Sequence, residues 1–234
     1  MPQQNTQSYA GPGDFQNVPV LNGQFNSQPR QQCAVVMDLS GSMMGEPLNQ
    51  LNIGLNEFFK GVQSDVEALN RVEVMLMGFG DTYEVLREFN TLGEEEAPHI
   101  SECLGGTVFC PAITYAIQEC EKNRLEFKSQ GITTGKPVII FISDGQAWDS
   151  GELGAMGNQI RALMNNSKVF FQAFGVEGAD MDQLNALSHE KAPARYIGDA
   201  ENFAALFKKL SKSMVSKSKE LSSDPIGSFQ MTIS

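Results

Sequence analysis

Strand and helix patterns alternate from residue 31 onward, which predicts an α/β fold. The expected form is a doubly wound, mainly parallel central sheet with helices on both faces and one antiparallel edge strand. Three observations carry this. Residues 137–142, PVIIFI, form a continuous apolar run of the kind buried on both faces of a parallel sheet. Apolar residues recur at helical spacing after the strand candidates. Only Gly80-Asp81 separates the candidates 71–79 and 82–89. That link is too short for a crossover, so 82–89 is expected to run antiparallel at an edge.

The first strand is expected over 33–38. A helix follows from Pro47, whose missing N–H costs nothing in a first turn, with Leu48, Leu51, Leu55, Phe58, Phe59 and Val62 on its apolar face. The two strands 71–79 and 82–89 come next. Glu94-Glu95-Glu96 then reads as a solvated loop, because it lacks the ligand spacing of a calcium loop. A long helix is expected over 108–128, a strand over 137–142, a helix over 151–166 and a strand over 168–174. A short helix over 180–188, a strand over 194–197 and a closing helix over 200–217 complete the pattern. Lys208, Lys209, Lys212 and Lys217 form the solvated side of the last helix.

Outside this core, residues 1–30 are rich in Gln, Asn, Gly and Pro and read as a flexible segment. Asn22-Gly23 marks a short hairpin candidate over 18–25. The expected domain is therefore 31–217. The tail 218–234 carries a strand candidate over 228–233, where Phe229, Met231 and Ile233 alternate with polar residues.

Composition narrows the function. The 234 residues carry a net charge of −11, against a general nucleic-acid binder, which needs clustered Lys and Arg. No run approaches about 18 consecutive apolar residues, so no membrane span is expected. The start MPQQNTQSYA has neither a basic stretch nor an apolar core, and cytoplasmic residence is the expectation. Cys33, Cys103, Cys110 and Cys120 fit no zinc spacing and are read as free, packed thiols. A disulfide between Cys103 and Cys110, which flank a Gly-Gly turn, is the weaker alternative.

Three polar clusters fall just beyond the carboxyl ends of strands, where ligands bind in open α/β sheets. Asp38, Ser40 and Ser42 follow the first strand, Thr107 follows Gly105-Gly106, and Asp144 follows the apolar run and Ser143. In extended backbone, alternate residues point the same way, so Asp38, Ser40 and Ser42 can converge if Gly41 permits a turn. Oxygen donors of this kind suit Mg²⁺, Mn²⁺ or Ca²⁺ rather than zinc. The hydroxyls are neutral, so a bound ion keeps much of its positive charge and attracts an outside carboxylate. Each cluster alone is ordinary turn or cap chemistry; the three in this order are not.

On these residues the chain resembles the von Willebrand factor A domain family. Asp38-x-Ser40-x-Ser42, Thr107 and Asp144 are similar to its metal-ion-dependent adhesion site. DLSGSMMGEPLNQLNIGLNEFF, LGGTVFCPAI and VIIFISDGQAWD resemble the bacterial TerY-like branch. The resemblance implies a Rossmann-like fold over about 31–217. It implies that Asp38, Ser40, Ser42 and Thr107 bind a metal, Mg²⁺ by preference, with Asp144 close by, often through water. It also implies a protein-binding module rather than an enzyme. The branch implies a role in tellurite resistance, stress response or defence, with a kinase-like or phosphatase-like partner supplying an Asp or Glu.

Other readings are weaker. Gly131-x-x-x-Gly135-Lys136 has the wrong spacing for a phosphate loop and precedes its strand instead of following one. His99 and His189 are read as surface or helix residues, and neither lies near a candidate nucleophile in sequence. A Mg²⁺-dependent phosphoryl-transfer or hydrolytic enzyme and a tail-mediated assembly protein remain as alternatives.

Overall fold

Five strands of one six-stranded sheet run parallel and one runs against them, in the order β3-β2-β1-β4-β5-β6. The computed structural model describes residues 27–144 and 146–221. The hairpin candidate over 18–25 and the strand candidate over 228–233 lie outside these residues.

β1 (Gln31–Asp38) sits between β2 (Val72–Phe79) and β4 (Val138–Ser143), and all eight of its residues are buried. Its side chains alternate between two cores. Cys33, Val35 and Met37 face the core formed with α1 (Glu46–Gln63) and α6 (Phe203–Glu220). Ala34 and Val36 face the core formed with α3 (Cys110–Ser129), α4 (Leu153–Asn165) and α5 (Met181–Leu187). This is the continuous apolar pattern a doubly covered strand requires. β5 (Phe170–Val176) and β6 (Arg195–Gly198) extend the sheet on one side. β3 (Tyr83–Thr91) is the antiparallel edge on the other, as its short link to β2 demands.

The periodicity alone leads directly from α1 to β2, but a further helix, α2 (Val66–Arg71), lies between them. Asp65 starts it by accepting hydrogen bonds from the N–H groups of Glu67 (3.1 Å) and Ala68 (3.0 Å). Arg71, at its last turn, reaches both ends of the described chain. Its Nε donates to Gln28 Oε1 (2.9 Å) and its Nη1 to the carbonyl of Ser218 (3.0 Å).

The four cysteines are free. Cys103 packs against the α1–α6 core, whereas Cys110 belongs to the α3–α4 core on the other face. The Cys103–Cys110 disulfide is not formed, and the two thiols pack with different cores. His189 is not a surface residue: it is buried after α5, with Nε2 2.9 Å from Asn165 Oδ1 and Nδ1 accepting the Lys191 N–H at 3.0 Å.

Candidate metal centre

The carboxyl end of β1 is fixed by pairing on both sides, down to the Leu39 N–H that donates to Phe79 O at 2.8 Å. Leu39 then buries its side chain, and the chain turns. The turn, not an extended run, brings the DLSGS oxygens together. Ser40 N–H folds back onto Asp38 Oδ1 (2.8 Å), and Gly41–Met43 form one turn of 3₁₀ helix. Gly45, at φ 91°, occupies the left-handed region that glycine tolerates and redirects the chain into α1.

Four of the five predicted residues meet here. Ser40 Oγ and Ser42 Oγ are 2.9 Å apart. Ser42 Oγ donates to Asp144 Oδ1 at 3.1 Å, and Ser40 Oγ lies 3.5 Å from the same oxygen. Ser143 Oγ donates to Asp38 Oδ2 at 2.6 Å. Two serine hydroxyl protons serve three contacts among Ser40, Ser42 and Asp144, so lone pairs face one another in the cluster.

Thr107 stands on the adjoining loop and forms no side-chain hydrogen bond with these four among the described residues. Its loop is tied to theirs: Gly41 N–H donates to Gly105 O (2.8 Å) and Leu104 N–H to Leu39 O (2.6 Å). Thr107 is itself buried.

The electrostatics are unusual for buried acids. Burial pushes Asp38 up to about 6, the hydrogen bonds from Ser143 and Ser40 hold it down in part, and the charge of Asp144 pushes it up further. Burial also raises Asp144, against the hydrogen bonds from Ser42 and Ser40. Among the described residues no Lys, Arg or His pairs with either carboxylate. An all-oxygen set with two buried carboxylates and no cationic partner fits a hard divalent cation.

The von Willebrand factor type A domain profile matches residues 33–146, a stretch holding all five residues. That stretch is similar to a von Willebrand factor type A domain. Such domains are generally protein-interaction modules. No curated protein matches the sequence. Among solved structures, the pilus adhesin SpaC from Lactobacillus rhamnosus GG aligns with a TM-score of 0.63 at 15% identity, over 81% of this chain and 30% of the adhesin. Proximal thread matrix protein 1 from the mussel byssus aligns with a TM-score of 0.51 at 16% identity, over 81% of this chain and 47% of that one. The chain thus spans less than half of either neighbour, and at these identities the likeness is one of fold.

Three residues around the cluster escaped the sequence reading. Asp81, seen there only as part of a turn, accepts the Gly106 N–H on Oδ1 at 2.9 Å and so holds the Thr107 loop. Its own N–H donates to Leu104 O at 2.8 Å. Ser143 orients Asp38; as the last residue of an apolar strand it reads as a strand end. Asp149 caps α3, accepting from Phe109 N–H (3.0 Å) and Cys110 N–H (2.7 Å). Asp149 also lies close to Cys110 and Glu152, a group with metal-ligand atom types. There its carboxylate serves the cap. The Cys110 thiol is pushed up to about 12 by burial and by its hydrogen bond to Asp149.

Proposed function

We propose that this chain is a divalent-metal-dependent protein-binding module. Asp38, Ser40, Ser42, Thr107 and Asp144 hold Mg²⁺, with Mn²⁺ or Ca²⁺ as substitutes, and a partner's Asp or Glu completes the coordination. The observation that carries the proposal is the pair of buried carboxylates, Asp38 and Asp144, surrounded by neutral hydroxyls with no cationic side chain paired to them among the described residues. Burying such charges without a counter-ion is costly, and a divalent ion offsets that cost. The neutral hydroxyls leave the ion enough charge to bind a carboxylate from outside.

The domain proper is 31–217, and we assign it no reaction of its own. The buried His189 is engaged by Asn165 and Lys191. The Gly131–Lys136 segment leads into β4 at its amino end, away from the site. The resemblance to the TerY-like branch suggests the setting: a cytoplasmic protein of a bacterial tellurite-resistance, stress-response or defence system, with a kinase-like or phosphatase-like partner. Among the described residues no helix is long and apolar enough to cross a membrane.

The test is thermal unfolding of the full chain and of Asp38→Asn in EDTA, Mg²⁺ and Mn²⁺. Mg²⁺ is expected to raise the wild-type midpoint and leave that of Asp38→Asn in place. Equal responses of the two proteins would refute the site. Retention of a partner by the immobilised protein in Mg²⁺ and its release by EDTA tests the bridge.

A further inference from the structure

Six large apolar side chains are exposed among the described residues, and two of them stand on the loops that carry the candidate ligands. Met44, two residues after Ser42, is 72% exposed, and Trp148, four residues after Asp144, is 71% exposed. Trp148 is the only tryptophan in the chain. It is held in place rather than trailing in solvent. Its backbone N–H donates to Thr107 O at 2.8 Å, and its ring lies so close to Gly106 that a Cβ there would sit 2.4 Å from a ring carbon. An aromatic ring fixed in an exposed position contributes contact area with little ordering entropy left to lose, as interface anchors do.

On the α1 side of the same strand ends a cleft of about 560 Å³ opens beside Met44. Leu48 and Ile100, both buried, form its floor, and His99, Glu102 and Cys103 border it. The Cys103 thiol is raised by its burial and then by the charges of Asp144 and Asp38, so the cleft lies within electrostatic reach of the carboxylate cluster. Among the described residues no Lys or Arg lines it. Glu102, on its border, is the one acid among the lining residues. α1 and α3 cover opposite faces of the sheet. The cleft and the Trp148 ring, which sits against the loop before α3, therefore flank the site from its two sides.

We infer that the partner's docking segment is a stretch of protein with one carboxylate between bulky apolar side chains, one entering the Met44–Leu48–Ile100 cleft and another lying on Trp148. The single carboxylate reaches the ion, so the inference rests on the metal-dependent reading above. Further acids near it are disfavoured by Glu102, by like-charge repulsion. The arrangement selects an acid in an apolar setting rather than an acidic tract.

The test is selection of random peptides displayed on phage against the immobilised full chain in Mg²⁺, with elution by EDTA. The expected peptides carry one Asp or Glu within a few positions of Phe, Leu, Ile, Met or Trp. A synthetic version of the best peptide should bind Trp148→Ser and Met44→Ser roughly tenfold more weakly than wild type. Both residues are exposed, so both variants are expected to fold. EDTA-released peptides with a carboxylate but no apolar preference would overturn the inference and leave the metal reading standing. Apolar peptides retained equally in Mg²⁺ and EDTA would remove the metal bridge and the acid-centred motif with it. Equal binding of the best peptide to wild type and both variants, or no enrichment at all, would also overturn it.

Discussion

At the foot of the sheet the Glu73 carboxylate meets the Arg30 guanidinium; at its head the Asp38 carboxylate meets, among the described residues, only hydroxyls and a backbone N–H. Both acids are buried. Arg30 Nε lies 3.3 Å from Glu73 Oε1, Asn123 Nδ2 donates to Glu73 Oε2 at 2.9 Å, and the guanidinium sits 5.4 Å from the centre of the Phe127 ring. Burial raises Glu73 and lowers Arg30, and their mutual attraction offsets part of each shift. Asp38 has hydrogen bonds of similar quality and, among the described residues, no cationic partner. The lesson is that this sequence can bury a carboxylate with its own counter-charge when the purpose is structural. At the head of the sheet it does not, and the charge there is available to an ion from solution.

The largest expected effect breaks the closed end. Arg30→Met strands the Glu73 charge and should cost about 3–5 kcal/mol in urea unfolding, whereas replacing both partners, as Arg30→Met with Glu73→Leu, should cost far less. A small effect of the single change would mean that Glu73 is already neutral. Next comes the open end with its ligand: free Mg²⁺ at a hundred times its dissociation constant should stabilise the wild type by about 2.7 kcal/mol in the same assay, and leave Arg30→Met equally responsive.

Removing the charge at the head should have the opposite sign from removing it at the foot. In EDTA at neutral pH, Asp38→Asn is expected to stabilise by about 1–3 kcal/mol, since the ordinary carboxyl value is about 3.9 and the folded one about 6. The pH dependence follows. Between these two values the folded protein keeps a proton that the unfolded chain has lost, so in EDTA stability falls as pH rises from about 4 to about 6. Asp144, also raised, adds to the same slope. In saturating Mg²⁺ the slope should reverse, because the ion needs the ionised acids. A slope unchanged by Mg²⁺ would end the contrast between the two regions. The smallest effect is one of positioning: Asp81→Asn should weaken Mg²⁺ binding by about tenfold in isothermal titration, with little change in the stability of the metal-free protein.

Much of this contrast was legible in the sequence, at one end only. The strand-end oxygens announce themselves because Asp38, Ser40, Ser42 and Asp144 interrupt apolar runs, and the antiparallel β3 follows from the brevity of Gly80-Asp81. The Arg30–Glu73 pair was not legible. Arg30 ends a Gln-rich stretch, and Glu73 stands second in its strand, where a lone polar residue reads as a strand end. Only the three-dimensional stacking of α3 against the foot of β2 buries it. The same limit hid Asp81 and Ser143, whose roles are hydrogen bonds across 25 and 105 residues of chain. α2 was missed because six residues are too few for a helical period, although Asp65 marks its start. The convergence of the DLSGS hydroxyls was anticipated, but the 3₁₀ turn achieves it where extended alternation was expected.

Arg71 has a consequence for engineering. By bonding to Gln28 and to Ser218 it fastens the entry and exit of the described fold side by side, at the pole opposite the carboxylate cluster. A unit whose two ends leave together can be spliced into a surface loop of another protein like a cassette, or reopened elsewhere and joined across its old ends, without disturbing the strand order. Host sequence grafted at that pole would hold the module by its base and leave the carboxylate cluster turned outward.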